Sequence, residues 1–252
     1  AGQVAAAAEA IAAAAAQLRA GRVAIIGSGR SSVEEQYLTQ QLAATLQAPT
    51  ALVARIAPGD GILLSADRNP NVRGALLTGL IAQLPQAELT ALGAQIDAGQ
   101  IDTLLSVGED LVAAGLTPAQ LARVQVIYLG THANATADGA QIVSPTLTVF
   151  EKSGTLVNQQ FRLQKFTAAV PGPLGISDDL TTLGQLLTAV GGAHPATTVA
   201  AVWAQLAATI PVLAGLAYDR LPATGQVLDA SAWATTVFPE GETLHYQPSG
   251  HP

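Results

Sequence analysis

The segment RVAIIGSGRSSVEEQYLTQQLAATL, residues 22–46, combines a strand, a glycine-containing turn and a helix in direct succession. Its first five residues form a short apolar run that is typical of a buried β-strand. The turn, Gly27 to Ser32, is followed by apolar residues that recur at nearly helical spacing up to Leu46, and Ser32 is a suitable helix N-cap. The segment therefore predicts one strand–turn–helix unit of an α/β fold.

Four further β-like runs follow along the chain. They are ALVAR (51–55), IDTLLSV (101–107), VQVIYL (124–129) and QIVS (141–144). Helical sequence lies between most of them, and Thr117-Pro118 has the N-cap and N1 arrangement that opens a helix. Alternating strands and helices predict a doubly wound, mainly parallel sheet flanked by helices.

The C-terminal half departs from this alternation. Residues 145–176 are rich in turn formers and polar residues, and a helix is then predicted from Asp178-Asp179 toward Gly191-Gly192. The sequence becomes loop-like beyond Arg220. We predict an α/β domain over residues 1–220 and an extended or loop-like tail over residues 221–252.

The uncharged run from Val199 to Ala217 approaches the length of a membrane span. Gln205, Pro211 and Gly215 interrupt it. Because proline breaks a helix, the run favours a buried helix that ends at Pro211 and no direct membrane span.

Composition excludes several functions. The 252 residues include no cysteine, so the chain cannot ligate an iron–sulfur cluster or build a cysteine-ligated zinc site. A formal net charge of -7 and two lysines leave no basic face for nucleic acid. Only 12% of residues are charged, against roughly 25% in average domains, which fits an alanine-rich composition, a surface covered by partner subunits, or both. Since residue 1 is Ala, we expect a fragment or a processed product.

Two turns, Gly27 to Ser32 and Gly108 to Asp110, each allow a purely structural interpretation and a ligand-binding interpretation. Backbone amides of Gly27 to Ser32 could face an anion at a helix N-terminus, but Ser32 replaces the third glycine of a dinucleotide fingerprint, so a tight turn without ligand is favoured. Gly108, Glu109 and Asp110 follow a predicted strand, where open α/β sheets bind ligands. Adjacent carboxylates could hold Mg²⁺ or serve acid/base chemistry, although sequence neighbours rarely point at one site, and a solvated turn is the favoured alternative.

Histidines and arginines supply the remaining candidates. The four histidines are His132, His194, His245 and His251, and no spacing among them predicts a metal site. Only His132, just after a strand, is a candidate ligand-binding group. ADRNPNVRGA, residues 66–75, predicts either a pinned loop or a contact to a ligand or subunit through Arg68, Asn71 and Arg73.

The segment EKSGTLVNQQFRLQK, residues 151–165, holds both lysines of the chain and Arg162. We expect a turn at Ser153-Gly154 and a buried pair between Glu151 and Arg162. It contains no nucleophile–base pair, so it predicts a recognition or assembly loop and no catalytic residue.

Four ordered segments resemble the molybdopterin oxidoreductases. IVSPTLTVFEKSGTLVNQQFRLQ (142–164) resembles the family's EKxGTxxNxxxRxQ loop, and the other three are ADRNPNVRGA (66–75), AGQIDTLLSVGED (98–110) and THANATADGA (131–140). Asp110-Leu111, Gly130-Thr131 and Phe161 depart from the pattern, in which Phe161 is often glycine. The whole is most similar to the C-terminal region of the G subunit of bacterial NADH-quinone oxidoreductase, respiratory complex I.

That resemblance implies a non-catalytic structural domain with no cofactor or metal of its own. It also implies other subunits as partners and a cytoplasmic location, peripheral to the inner membrane through the complex. A docking or structural role then falls to Glu151, Lys152, Arg162, Gln164, Arg68, Asn71 and Arg73. If the chain is instead part of a pterin-binding oxidoreductase, the expected cofactor contacts are Gly108, Glu109, Asp110, His132, Gly154, Thr155, Asn158 and Arg162. A small-ligand or nucleotide-binding module is the third alternative.

Overall fold

A five-stranded parallel sheet forms the centre of the protein in a computed structural model, which describes residues 2–60, 62–85, 88–193 and 197–238. The strands are β1 (Val23–Ser28), β2 (Thr50–Val53), β3 (Thr103–Val107), β4 (Gln125–Gly130) and β5 (Ile142–Pro145). Their order is β2-β1-β3-β4-β5, and every neighbouring pair is parallel. The predicted α/β class and all five predicted strands are confirmed.

Helices cover both faces of this sheet. They are α1 (Ala7–Ala20), α2 (Val33–Leu46), α3 (Val72–Leu77), α4 (Glu88–Asp97), α5 (Pro118–Leu121), α6 (Ala135–Gly139), α7 (Asp179–Ala189) and α8 (Val199–Thr209). Ile25 packs with α1, α2, α7 and α8, whereas its neighbour Ile26 packs with α4 and α5 on the opposite face. Successive strand residues point to opposite faces, and helices cover both faces of the sheet. For this reason β1 and β3 are buried at every position.

The predicted helix boundaries are confirmed by their caps. Ser32 forms a capping box at α2, since its hydroxyl accepts from Glu35 N at 3.2 Å and its own N–H donates to Glu35 Oε2 at 2.9 Å. Asp178 caps α7 by accepting from Thr181 N at 2.6 Å. α8 ends at Thr209, and a short 3₁₀ turn then begins at Pro211, where the sequence predicted a break.

The region after β5 is more regular than predicted. β6 (Gly154–Val157) and β7 (Arg162–Phe166) form an antiparallel hairpin within the stretch that was expected to be turn-rich. A two-residue strand from the predicted tail, β8 (Gln226–Val227), pairs with β7. The sequence did not predict the hairpin, because polar residues of the two strands form hydrogen bonds to other parts of the chain. The segment therefore lacks the alternation of apolar and polar residues that usually marks a strand.

Residues 221–238 of the predicted tail pack onto the domain. Leu221 and Leu228 are buried in the core that contains α2 and α7, and the Trp233 ring lies 5.3 Å from the ring of Phe161. The division at residue 220 stays a prediction, and residues 239–252 lie outside the described part. No helix among the described residues is long and apolar enough to cross a membrane.

Gly74 in α3 offers a test of the packing. A Cβ there would lie 2.3 Å from Oδ1 of the fully buried Asn71. A Cβ at Gly139, also in a helix, would meet nothing within 4 Å. We expect Gly74→Ala to lower the free energy of unfolding by about 1–3 kcal/mol, because Asn71 would lose its hydrogen-bond geometry.

The matched change Gly139→Ala should alter the same free energy by less than about 1 kcal/mol. Urea denaturation of both variants measures the difference. Equal values for the two variants would contradict the close packing of Asn71 against α3.

Candidate functional site

A cavity of about 1040 Å³ lies at the carboxyl ends of the parallel strands. Its wall includes the ends of all five: Ser28 and Arg30, Val53 to Ile56, Val107 to Asp110, Gly130 to His132, and Thr146 to Phe150. Ligands bind at this edge in open α/β sheets, in the crevice where the strand order reverses. In this sheet the reversal lies between β1 and β3.

The crevice between β1 and β3 is filled by a hydrogen-bonded cluster. Ser28 Oγ donates to Glu109 Oε1, and Arg30 Nε donates to the same oxygen at 3.0 Å. Arg30 Nη2 lies 2.9 Å from Glu109 Oε2 and donates to the Gly108 carbonyl at 3.1 Å. The Glu109 carboxylate therefore occupies the position between the two strands and is held there by neighbours of the same chain.

The backbone amides of the glycine turn are also engaged. The N–H groups donate as follows: Gly29 to Val53 O at 2.9 Å, Arg30 to Ser28 Oγ at 2.9 Å, Ser31 to Ser28 O at 3.3 Å, and Ser32 to Glu35 Oε2 at 2.9 Å. An anion cradle needs free N–H groups at the helix N-terminus. These four amides therefore have acceptors within the chain, as in a tight turn.

Glu109 and Asp110 point in different directions. Asp110 Oδ1 accepts from Thr136 Oγ1 at 2.9 Å and from Val112 N at 3.1 Å, so it caps a local turn. The divergence disfavours a paired metal site, but the turn is not the solvated one that was favoured, because Glu109 is buried. No group of three or more potential metal ligands occurs among the described residues.

His132 lies where it was predicted, at the cavity edge just after β4. Its ring is exposed, and Nδ1 lies 2.7 Å from Thr131 Oγ1. No carboxylate is hydrogen-bonded to the ring in the described part of the chain. His194, His245 and His251 fall outside the described residues.

Lys152 forms a buried ion-pair cluster in the cavity wall. Its Nζ lies 2.6 Å from Glu35 Oε1 and 2.8 Å from Asp179 Oδ2, and its side chain is 17% exposed. Burial alone would lower the pKa of Lys152, but the two carboxylates outweigh burial and raise it. Lys152 therefore stays protonated at neutral pH, unlike the lysines that act as bases or nucleophiles.

The other two groups of the cluster begin helices. Asp179 is the first residue of α7, and Glu35 belongs to the first turn of α2. Burial and the nearby Glu35 carboxylate raise the pKa of Asp179, whereas Lys152 opposes the rise. The single ammonium group thus joins the N-termini of two helices through charge-assisted hydrogen bonds.

Glu34 joins α2 to the hairpin. Its Oε2 accepts from Thr155 N at 3.0 Å and its Oε1 lies 2.9 Å from Thr155 Oγ1. A Cβ at Gly154 would lie 2.9 Å from Ser32 Cβ and 3.1 Å from Glu34 Oε2, so only glycine permits this approach. Burial raises the pKa of Glu34 to about 7, although its bonds to Thr155 lower it in part.

Asn71 is a second junction between the halves of the chain. Its Oδ1 accepts from Val157 N at 2.7 Å, and its Nδ2 donates to Ser31 O at 2.7 Å and to Gln36 Oε1 at 3.0 Å. Asn71 is fully buried, and its carboxamide thereby connects β6 to the turn before α2 and to α2 itself. The predicted loop-pinning role of Asn71 is consistent with these contacts.

The two arginines of the same segment have different neighbours. Arg73 forms a buried ion pair with Asp67, and its guanidinium lies 4.6 Å from the ring centroid of Phe238. Arg68 Nη2 donates to the Pro58 carbonyl at 3.0 Å. Both side chains fix backbone within the chain.

The remaining residues of the 151–165 segment organise the hairpin. Glu151 Oε2 accepts from Thr148 N and Oγ1, both at 2.8 Å. Arg162 Nη1 instead reaches the carbonyls of Thr224 and Gly225, at 3.4 and 3.5 Å. The expected Glu151–Arg162 pair was therefore wrong, because β7 directs Arg162 toward the tail while Glu151 caps the turn before the hairpin.

The predicted pterin contacts divide into two groups. Gly108, Glu109, Asp110 and His132 line the cavity, whereas Gly154, Thr155, Asn158 and Arg162 do not. Asn158 Nδ2 donates to Gln164 Oε1 at 3.1 Å within the hairpin. Lys152 is the one predicted docking residue that lines the cavity.

Sequence reasoning missed Ser28, Arg30, Glu34, Glu35 and Asp179. Two adjacent glutamates in the first turn of a helix usually complement the helix dipole on the surface. Here both are buried. The available signal was that the chain has only two lysines, which made a carboxylate partner for Lys152 the natural expectation.

Residues 81–188 match the family model of the molybdopterin oxidoreductases. The match supports membership of that superfamily. It covers β3 to β5, the hairpin and most of α7, and leaves the segment around Asn71 outside. No curated protein shows a significant match to this chain.

A molybdopterin cofactor, which the family implies, does not fit the described residues well. The turn amides that would meet phosphate donate within the chain, and Glu109 fills the crevice. Gln17 Oε1 in α1 is the only buried side-chain polar atom without a partner in the described residues, and Gln17 does not line the cavity. Among the described residues of the cavity wall, no buried side-chain polar atom lacks a hydrogen-bond partner.

The raised pKa of Glu34 predicts a pH-dependent stability. Its folded pKa of about 7 lies above the ordinary value of 4.5, so the folded state holds this proton more tightly than the unfolded state. The resulting stabilisation falls as pH rises from 4.5 to about 7. Glu34→Gln imitates the protonated group and removes the dependence.

We expect the unfolding free energy of the wild type, relative to Glu34→Gln, to fall by roughly 2 kcal/mol between about pH 5.5 and about pH 8. Asp179 titrates in both proteins, so the difference isolates Glu34. Glu9→Gln, at an exposed position of α1, is the control. This variant keeps Glu34, so the difference in unfolding free energy between it and the wild type should not change across this pH range. A parallel pH profile for wild type and Glu34→Gln would exclude a buried titration at Glu34.

Proposed function

We propose that this chain is a non-catalytic structural domain of the G subunit of an NADH-quinone oxidoreductase, in which the whole complex transfers electrons from NADH to quinone. The observation that carries the proposal is the use of the EKSGTLVN segment. Lys152 binds Glu35 and Asp179, and Thr155 binds Glu34. A segment that resembles a cofactor-enzyme motif thus serves to hold the fold together.

The surroundings of the cavity support the same proposal. A catalytic site needs a base, acid or nucleophile aimed at open space with a suitable pKa. Lys152 is held protonated between two carboxylates, and Glu109 is bound by Ser28 and Arg30. We infer that the chain binds no pterin and no metal, and that the iron–sulfur clusters of the complex lie elsewhere.

Partners and location follow from membership of the complex. The proposed partners are other subunits or the remainder of the G subunit, and the proposed location is the cytoplasmic side of the inner membrane. The low charge content of 12% supports a surface that is largely covered by such partners.

The cavity favours one alternative. Its volume of about 1040 Å³ and its place at the strand ends suit a ligand of dinucleotide size, as in a fragment of a pterin-dependent oxidoreductase. A nucleotide-binding module of other function would use the same space. Both alternatives require Arg30 to leave Glu109 or the turn amides to become free.

Affinity purification of the tagged chain from its native source, grown with molybdate, separates these functions. The proposal expects subunits of an NADH-quinone oxidoreductase in the eluate, with molybdenum and pterin fluorescence at background. Stoichiometric molybdenum with pterin would establish the first alternative. A purified protein that lacks those subunits would refute the proposal, and nucleotide-induced thermal stabilisation would then identify the second alternative.

Arg162 tests whether the hairpin serves assembly. Arg162→Ala removes the bonds to Thr224 and Gly225 and should lower the unfolding free energy by about 1 kcal/mol and reduce recovery of partner subunits. Arg55→Ala removes a guanidinium that lines the cavity and leaves the hairpin unchanged. It should affect neither quantity. If Arg55→Ala reduced the recovery of partner subunits and Arg162→Ala did not, partner binding would be assigned to the cavity and not to the hairpin.

A further inference from the structure

Three consecutive aliphatic side chains stand in solvent at the end of one loop. Ile62, Leu63 and Leu64, called here the apolar tip, are 82%, 90% and 51% exposed. They follow β2, at the same edge of the sheet as the cavity, and contribute nothing to the three apolar cores of the described residues. Isolated exposed aliphatic residues are ordinary, whereas a contiguous exposed group marks an interaction site.

Asp60 holds the backbone of the apolar tip in one conformation. Its Oδ1 accepts from the N–H groups of Ile62, Leu63 and Leu64 at 2.9, 2.8 and 2.8 Å, and its own N–H donates to the Leu64 carbonyl at 3.1 Å. These bonds lower the pKa of Asp60, so the carboxylate is ionised at neutral pH. The backbone of the apolar tip is therefore held before binding, which reduces the entropy lost when a partner binds.

The base of the loop is fixed as well. Ala57 N donates to the Ala66 carbonyl at 3.1 Å, and Ile56 forms an antiparallel bridge with Asp67. Asp67 is in turn held by the buried Arg73. The loop that carries the apolar tip is therefore anchored at its base.

We propose that the apolar tip inserts into an aliphatic groove on a protein partner, and that this partner presents a cationic side chain or an N–H donor to Asp60. Oδ1 of Asp60 is fully used, whereas no donor contacts Oδ2 within the described ranges. Charged groups beside an apolar contact give such an interface its register and specificity. The acidic oxygen thus defines the chemistry that the groove must supply.

A lipid bilayer meets this requirement less well. Asp60 accepts hydrogen bonds from all three amides of the apolar tip, so Asp60 would enter the bilayer together with these residues. Bringing an ionised carboxylate into hydrocarbon is costly, whereas a protein groove can place a donor opposite it. The proposal does not depend on which complex contains the partner.

Site-specific photo-cross-linking in cells of the native source tests the proposal. A benzophenone amino acid replaces Leu63, and the same residue at Leu174, which is equally exposed in another loop, is the control position. We expect Leu63 to cross-link to one protein, and the cross-linked peptide, identified by mass spectrometry, to contain aliphatic residues beside an arginine, lysine or free backbone N–H.

Asp60→Arg reverses the charge at the apolar tip and should reduce the cross-link yield at least about tenfold. Asp138→Arg makes the same charge change at an exposed position of α6 and should leave the yield unchanged. Circular dichroism checks that both variants are folded.

Cross-links to lipid or to a second copy of the chain would overturn the proposal, as would a yield no higher than at Leu174 or a yield unaffected by Asp60→Arg. A cross-linked protein with the expected groove that is no subunit of an NADH-quinone oxidoreductase would uphold the apolar tip proposal and refute the proposed function.

Discussion

Two consecutive carboxylates, Glu34 and Glu35, are buried at the start of α2, and the second half of the chain is attached through them. Burial of a carboxylate is costly unless a charge or several hydrogen bonds compensate it. Glu35 receives the Lys152 ammonium and closes the capping box with Ser32. Glu34 accepts from the Thr155 N–H and hydroxyl, and burial outweighs its hydrogen bonds and raises its pKa to about 7.

This arrangement explains why the 151–157 segment needs its particular residues. Lys152 is required because its ammonium bridges Glu35 and Asp179, and Gly154 is required because a side chain would meet Ser32 and Glu34. Asn71 adds an uncharged bond to Val157 from the other side. The hairpin is therefore attached by a cation, a buried acid and a carboxamide that come from three separate parts of the chain.

Phe161 shows how the tail is coupled to the hairpin. Its φ of 54° lies in the left-handed region, where glycine is favoured and where the resembling family often has glycine. The conformation costs about 1–2 kcal/mol. The fully buried ring, packed on Trp233, offsets that cost, and the Phe161 carbonyl accepts from Leu228 N at 3.0 Å. A departure from the family pattern thus becomes a contact that holds residues 221–238.

The parallel sheet was predictable from sequence because its signals are local. β1 and β3 are short apolar runs, and Ser32 and Asp178 lie directly before the helices that they cap. The junctions at α2 were not predictable, since the Glu34–Thr155 bond joins residues 121 positions apart. A buried glutamate in a first turn looks like a solvated one until its partner is placed beside it. The same reason led to the wrong pairing of Glu151 with Arg162.

Native-state hydrogen exchange at the amides of Thr155 and Val157 tests the central claim most directly. The first donates to Glu34 and the second to Asn71, so both report whether the hairpin is attached as described. If the attachment is an integral part of the fold, their protection will approach that of Leu104 and Leu105 in β3, which open only on global unfolding. Rapid exchange of these two amides while β3 stays protected would show that the hairpin opens independently, and would contradict the account.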